Sequence, residues 1–275
     1  MRVRSILAVV LLGTALLASP AEILAQSLDT GTAPASIADA LKNAKQQRII
    51  VFDFLNSEGS LTQLGESFSD QFSSVLAESN PDLQVVDRRV IRQLLQQHRV
   101  APTIVHNTEA ATWLASSLIA DSFVIGKVDS KQGSLLISIE AIRVRDGKKI
   151  ANFKESLPLS DLARSLAANS ISWDHSKEFP NPKDDKSLLP KCIRCLSPSF
   201  SPEALYSSRS GSLTLSVWVG EDGFPSDINI ITNPPPGFVQ KSIEAVQKWV
   251  FMPLTGSDGK PKGVWIPVEI KWRTY

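Results

Sequence analysis

Cys192 and Cys195 are the residues whose spacing most suggests chemistry, and the chain has no other cysteine. A Cys-x-x-Cys pair serves as a redox centre, as half of a zinc site or as a local disulfide. A redox centre needs its first cysteine at a helix N-terminus after a strand, whereas prolines bracket this pair. A zinc site needs two more ligands, and the three histidines have no paired spacing. An oxidising compartment favours the disulfide. We expect no metal and no other cofactor.

Known catalytic signatures are absent from the sequence. It has no Gly-rich phosphate loop, no Gly-x-Ser-x-Gly elbow and no His-Glu-x-x-His helix. Candidate acids such as Asp121, Glu140 and Asp146 are scattered along the chain. A Ser-His-Asp triad assembles only in space, so the sequence leaves that alternative open. We expect a protein that is not an enzyme and has no catalytic residues.

Composition narrows the class of partner. The chain has 275 residues, of which 43% are hydrophobic and 21% charged, and its formal net charge is +1. This length favours two domains, and the balanced charge gives no excess with which to hold nucleic acid. We therefore expect a protein partner and no nucleic-acid partner. The sequence leaves the oligomeric state open.

The N-terminus has the pattern of an export signal. Two arginines precede an apolar run at residues 6–18, and small residues follow it up to position 25. The run is shorter than the roughly 20 apolar residues that span a bilayer. We predict a signal peptide at residues 1–25 and a periplasmic protein. The alternative is an inner-membrane anchor facing the periplasm, with membrane contact only if the segment is retained.

Two stretches are interpreted as connections. Residues 26–46 are rich in Ser, Ala and Thr and predict a tether that leads into a first helix around Ile37 to Lys45. Residues 174–196 contain several prolines and the cysteine pair, which predicts a linker. The domains then span residues 47–173 and 197–275.

The first domain alternates strand and helix patterns. RIIVFDF, from residue 48, reads as a buried strand, and apolar residues at steps of three and four predict a helix over 61–78. Further strands and helices follow, which predicts an α/β sandwich. The segments VFDFLNSEG, GESFSDQFSSVL and VVDRRVIRQLLQQH resemble, in this order, the periplasmic α/β domain of the curli-secretion lipoprotein and the TolB amino-terminal domain. The resemblance covers about residues 48 to 155 and implies envelope assembly and protein contacts.

One pair of charges in this domain invites a functional interpretation. Arg88 and Arg89 stand beside Asp87, just before an amphipathic stretch. We interpret them as a solvated helix start.

The second domain shows strict alternation around one amphipathic helix. Leu213, Leu215, Val217 and Val219 share a face, and a turn through Asp222-Gly223 leads to a second strand. An apolar stripe at 239, 243, 246 and 250 predicts a helix that covers this hairpin. A last strand follows at 264–272. The sequence as a whole predicts an α+β fold whose small C-terminal domain has α-β-β-α-β order and a three-stranded antiparallel sheet.

This order resembles the TonB carboxy-terminal domain. The segments PSFSPEA at 198–204, AVQKWVFMP at 245–253 and GKP at 259–261 stand at family-like spacing. The resemblance implies an adaptor that binds protein segments, with an outer-membrane transporter segment as one candidate. Where the family usually has an Arg, this chain has Val250, and it has an α/β domain where transducers have a long Pro-rich stretch. A structural envelope scaffold and, with a retained anchor, an energy transducer are the alternatives.

The last strand carries the predicted partner-binding residues. Proline is confined to edge strands, strand starts or bulges, so Pro267 predicts an edge strand. We expect an exposed row of Trp265, Glu269, Lys271 and Arg273, whose charges discourage indiscriminate pairing while the indole holds a partner side chain. A partner segment would then add to this edge by β-augmentation.

Overall fold

The computed structural model describes residues 28–171, 189–207, 210–232 and 234–273. The predicted signal peptide at residues 1–25 lies outside these ranges. Within them, no helix combines the length and the apolar character needed to cross a bilayer.

A five-stranded mixed sheet forms the centre of the first domain. Its strand order is β3-β1-β4-β5-β6, and β1 runs parallel to both of its neighbours while β4, β5 and β6 form an antiparallel meander. A short pair, β2 with β7, lies beside it. The strands are β1 (Arg48–Val51), β2 (Leu61–Thr62), β3 (Gln84–Val85), β4 (Ser122–Lys131), β5 (Ser134–Arg143), β6 (Lys149–Pro158) and β7 (Ser170–Ile171).

Helices cover both faces of this sheet, as the alternating pattern predicts. One apolar cluster contains residues of α1, α2 and α5, and another contains residues of α3 and α4. Side-chain caps fix the helix starts: the Thr62 hydroxyl accepts from the Gly65 amide at 2.9 Å, and Asn107 Oδ1 accepts from the Ala110 amide at 3.0 Å. The helices are α1 (Ala33–Asn43), α2 (Gln63–Glu78), α3 (Arg88–Gln97), α4 (Thr108–Ser117) and α5 (Asp161–Ala167).

The predicted tether at 26–46 needs correction. Within it, α1 buries Ile37 and Leu41 completely in the apolar cluster that lies on the α2 face of the sheet. The Thr32 amide donates to Glu155 Oε2 on β6 at 3.1 Å. Residues 33–43 are therefore part of the first domain, because their small and aliphatic side chains form one continuous packing face.

Arg88 is also placed differently from the expectation. Its side chain is only 10% exposed and forms ion pairs with Asp53 and Asp70, while Nη1 donates to the Val51 carbonyl at 2.9 Å. Arg89 remains solvated, with 83% of its side chain exposed. The interpretation as a solvated helix start is correct for Arg89 and wrong for Arg88.

The main elements of the C-terminal domain follow the predicted order of helix, strand, strand, helix and strand, and three short strands precede the last one. The predicted helix stripe through Val250 is wrong at its end, because the helix stops at Val246 and Val250 begins a short strand. Its three-stranded antiparallel sheet has the order β10-β9-β14. The Ser201 hydroxyl caps the first helix by accepting from the Ala204 amide at 3.2 Å. The α+β fold class is thus confirmed. The elements are α6 (Pro202–Ser207), β9 (Ser210–Val219), β10 (Pro225–Ile230), α7 (Val239–Val246), β11 (Val250–Met252), β12 (Leu254–Thr255), β13 (Pro261–Lys262) and β14 (Val264–Arg273).

The boundary at 197 also shifts. Residues from the predicted linker form β8 (Lys191–Arg194), which pairs antiparallel with β11. Strand pairing therefore joins the end of the linker to the C-terminal domain, whose ordered structure begins before residue 197.

Candidate partner-binding edge

The last strand, β14, lies at one edge of the three-stranded sheet. It pairs with β9 over its full length of ten residues, from Val264 opposite Val219 to Arg273 opposite Ser210. Among the strands that the structure describes, β9 is its only neighbour. The structure thus places β14 at the edge of this sheet, as the sequence predicts.

The backbone direction of β14 follows from its partner strand. The Thr214 amide donates to the Thr232 hydroxyl at 2.9 Å, and the Thr214 carbonyl accepts from the Ile231 amide at 2.9 Å, so both groups face the β10 side. Opposed residues in an antiparallel ladder alternate between bonded and non-bonded pairs. Thr214 and Glu269 are therefore a non-bonded pair, and the backbone of Glu269 faces away from β9.

The same alternation orients the neighbouring residues of β14. Pro267, Glu269 and Lys271 all turn their backbone groups outward, and we call these groups the open edge. Pro267 contributes a carbonyl but no N–H. The register between β14 and β9 shows no shift at Pro267. The proline therefore leaves the ladder with β9 intact and interrupts the row of donors on the outside.

Charged side chains cover the outer face above the open edge. Lys271 Nζ lies 2.9 Å from Glu269 Oε2, with the two side chains 72% and 48% exposed. Pro267 and Arg273 are exposed on the same face. The alternate residues Val268, Ile270 and Trp272 are buried on the other face. This alternation sets which side chains an added strand would meet.

Trp265 departs from the predicted exposed row. Its side chain is 8% exposed and its ring lies 5.4 Å from the ring of Trp218. Gly263 leaves room for this arrangement, because a Cβ there would meet Trp218 Cζ2 at 2.2 Å. The prediction that the indole is available to hold a partner side chain is therefore wrong, since Trp218 covers it across the strand pair.

An aromatic cluster supports β14 from the core side. The ring of Trp272 stacks on Phe238 with centroids 3.9 Å apart, and Phe200 lies 5.8 Å from Trp272. Gly211 on β9 makes this packing possible, since a Cβ there would approach Trp272 Cζ2 to 2.5 Å. Phe238 immediately precedes α7, so the helix and the end of β14 are held by the same rings.

The cysteine pair lies on the small β8–β11 sheet. Cys192 and Cys195 are joined with an S–S distance of 2.05 Å. Ile193 and Met252 on the same sheet are 62% and 54% exposed. The prolines of this stretch predicted a linker, and the weak signal for an apolar surface was an isoleucine among charged residues. Among the described residues, no three His, Cys, Asp or Glu side chains gather as a metal site would require.

Comparison with known proteins assigns a class to the C-terminal domain. Residues 197–274 match the family described as Gram-negative bacterial TonB protein C-terminal. This match confirms the resemblance of the C-terminal domain to the TonB carboxy-terminal domain. No curated protein matches the chain.

Solved structures with similarity to the chain include domains of two kinds. The LpoB C-terminal domain from Escherichia coli is 15% identical, with a TM-score of 0.36, over 45% of this chain and 94% of that chain. The TonB C-terminal domain from Pseudomonas aeruginosa is 21% identical, with a TM-score of 0.27, over 31% and 86%. The TonB2 protein from Vibrio anguillarum is 27% identical, with a TM-score of 0.24, over 30% and 82%. The resemblance of the first domain to the curli-secretion and TolB group stays a prediction.

Proposed function

We propose that the protein is a periplasmic TonB-like adaptor that takes up an extended segment of a partner protein on the open edge of β14. The observation that carries this proposal is the orientation of the backbone of Glu269 and Lys271, whose N–H and C=O groups face away from the sheet. An added strand gains affinity from such main-chain groups. A segment of an outer-membrane transporter is our first candidate partner, and export of the chain by its N-terminal segment is part of the proposal.

Pro267 restricts where the partner strand can pair. Since it offers no donor, continuous pairing at the open edge begins with Glu269 and runs toward the C-terminus. The exposed charges of Glu269 and Lys271 then select against apolar strands and favour a partner with polar or oppositely charged side chains opposite them. Their mutual ion pair is exposed and contributes only about 0 to 1 kcal/mol. We therefore expect main-chain pairing to supply most of the affinity.

The direct test uses two proline substitutions in β14, each of which removes one backbone N–H donor. In Glu269→Pro the lost N–H belongs to the open edge, whereas in Val268→Pro it belongs to the ladder with β9, because Val268 and Leu215 form a bonded pair. Glu269→Pro is therefore the informative variant and Val268→Pro is the variant that disrupts the domain itself. Lys271→Ala is the matched control for loss of a side chain at the same edge.

Binding of the full chain to synthetic transporter segments is measured by calorimetry. We expect Glu269→Pro to weaken binding by at least about tenfold, and Lys271→Ala by no more than about fivefold. Circular dichroism checks that each variant is folded. Unchanged affinity in folded Glu269→Pro would refute the β-augmentation mechanism and leave the scaffold alternative ahead.

A further inference from the structure

A turn after α3 joins the first domain to the C-terminal domain through its backbone. We call residues 98–101 the docking turn. Its His98 carbonyl accepts from Gln247 Nε2 at 2.5 Å, and its Arg99 carbonyl accepts from the Ile228 amide at 3.0 Å. The Ala101 amide donates to the Ile228 carbonyl at 3.0 Å. The first domain thus pairs with β10 as a short parallel strand would.

A bulge in β10 turns Ile228 toward this turn. Two residues of β10, Asp227 and Ile228, stand opposite the single residue Val217 of β9, and Asp227 has a φ of 48°. A bulge of this kind leaves one residue without its ladder partner. Here the docking turn takes both backbone groups of Ile228. The next outward amide of β10, that of Ile230, donates to Asn229 Oδ1 at 3.0 Å.

The first domain also caps the helix that covers the sheet. The residue before α7, Phe238, has no side chain that accepts from the first turn. Glu109 on α4 supplies the acceptors instead, taking hydrogen bonds from Gly237 at 2.9 Å, Val239 at 3.1 Å and Gln240 at 3.4 Å. Orphan amides at a helix N-terminus and the positive end of its dipole both favour a carboxylate there.

Apolar packing accompanies these polar contacts. Ile228 and Val100 are almost fully buried and belong to one apolar cluster that extends from the α3–α4 face of the first domain into the C-terminal domain. The Arg99 guanidinium lies 5.5 Å from the centre of the Phe224 ring. The contact therefore combines buried aliphatic side chains with backbone pairing and a charged cap.

We propose that the first domain is a fixed dock for the C-terminal domain, which closes the β10 edge and leaves β14 as the edge of this sheet that a partner strand can reach. The docking surface consists of the docking turn and Glu109, and its occupant is the β10–α7 side of the same chain. This inference gives the first domain a role of its own and does not require the adaptor function, because it concerns the protein without a partner.

Amide hydrogen exchange of the full chain tests the dock without any partner. A paired edge amide exchanges through local opening, while an unpaired one exchanges at nearly the rate of open chain. We expect the Ile228 amide to exchange at least about a hundredfold more slowly than the outward amides of Glu269 and Lys271. Ile228 exchange within about threefold of theirs would overturn the proposal.

Three variants at two positions address the contacts separately. Ala101→Pro removes the donor to Ile228 at a residue whose φ of −66° proline already adopts. Glu109→Ala removes the cap of α7, and Glu109→Gln keeps one oxygen acceptor. We expect Glu109→Ala to speed exchange of the Val239 and Gln240 amides by about tenfold, with a smaller effect in Glu109→Gln.

A carboxylate of the first domain that makes no contact with the C-terminal domain provides the control. Asp161 is in the first turn of α5 and its side chain is fully exposed. Asp161→Ala should leave exchange at α7 unchanged. Exchange within the β9–β14 ladder reports whether the C-terminal domain stays folded in each variant. If Glu109→Ala leaves the α7 amides as protected as Asp161→Ala does, the capping role and with it the dock are refuted.

Discussion

Replacement of Arg88 by alanine should destabilise the first domain far more than the same replacement at Arg89. The Arg88 side chain is 10% exposed and lies between Asp53, which is 9% exposed, and Asp70, which is 50% exposed. Its removal leaves the Asp53 carboxylate buried without a compensating charge, and the Val51 carbonyl loses a donor at 2.9 Å. Removal of one partner of a buried ion pair lowers the free energy of unfolding by about 3 to 5 kcal/mol.

The neighbouring arginine provides a matched control. Arg89 is 83% exposed and pairs with Asp87 at 2.7 Å. Solvent screens an exposed pair of this kind, so Arg89→Ala should change the free energy of unfolding far less than Arg88→Ala does. The two variants differ by one position and remove the same chemical group, which isolates burial as the cause.

Urea denaturation followed by circular dichroism measures both free energies of unfolding. A third variant, Arg88→Ala with Asp53→Ala, should recover part of the loss because the unpaired carboxylate is gone. If Arg88→Ala costs less than about 1 kcal/mol, or no more than Arg89→Ala, the burial argument is refuted.

Three further predictions concern single features of the structure. Trp265→Ala should lower the free energy of unfolding, measured by urea denaturation, by about 3 kcal/mol, because the indole is buried against Trp218. A loss below about 1 kcal/mol would contradict the burial of Trp265. Replacing Cys192 and Cys195 by serine should barely move the melting temperature, because the disulfide closes a loop of only about four residues; free thiols in the unreduced, denatured protein would contradict the pairing. Burial lowers the pKa of His98 from its ordinary value, against the smaller raising effect of the Glu244 charge. The unfolded chain therefore takes up this proton at a higher pH than the folded chain, so stability is complete above about pH 6.5 and falls as pH drops below it. The free energy of unfolding of His98→Gln, measured by urea titration, should fall less between pH 7.5 and 5.5 than that of the unmodified protein. An equal fall would show that His98 does not cause the pH dependence.

Periodicity allowed the main helices and long strands of both domains to be predicted, but it placed Val250 in a helix instead of the short strand β11. Side chains of β14 alternate with period two, so the burial of Val268, Ile270 and Trp272 and the exposure of Glu269 and Lys271 follow from the pattern. The edge position followed from Pro267, because proline lacks a donor. The family match at residues 197–274 agrees with the resemblance that these landmarks suggested.

Contacts between distant segments could not be predicted in the same way. Trp265 is on the polar face by alternation, and the ring of Trp218, opposite it on the neighbouring strand, packs against it. Arg88 has a typical solvated helix-start pattern, yet two carboxylates from other elements surround it. Glu109 caps a helix some 130 residues away, and no local pattern marks such a pairing. These contacts depend on how elements pack, which one sequence does not specify without the fold.

The closure of β10 has a consequence for self-association. A sheet with two open edges can pair with a further copy at each edge and so extend into a fibre, whereas a sheet with one open edge can pair with one copy only. The docking turn pairs with β10 at one edge of the three-stranded sheet, and β14 forms the other edge. Edge-to-edge pairing of this sheet between copies would stop at a dimer. The protein can therefore expose the β14 edge at high concentration without seeding a fibre through this sheet.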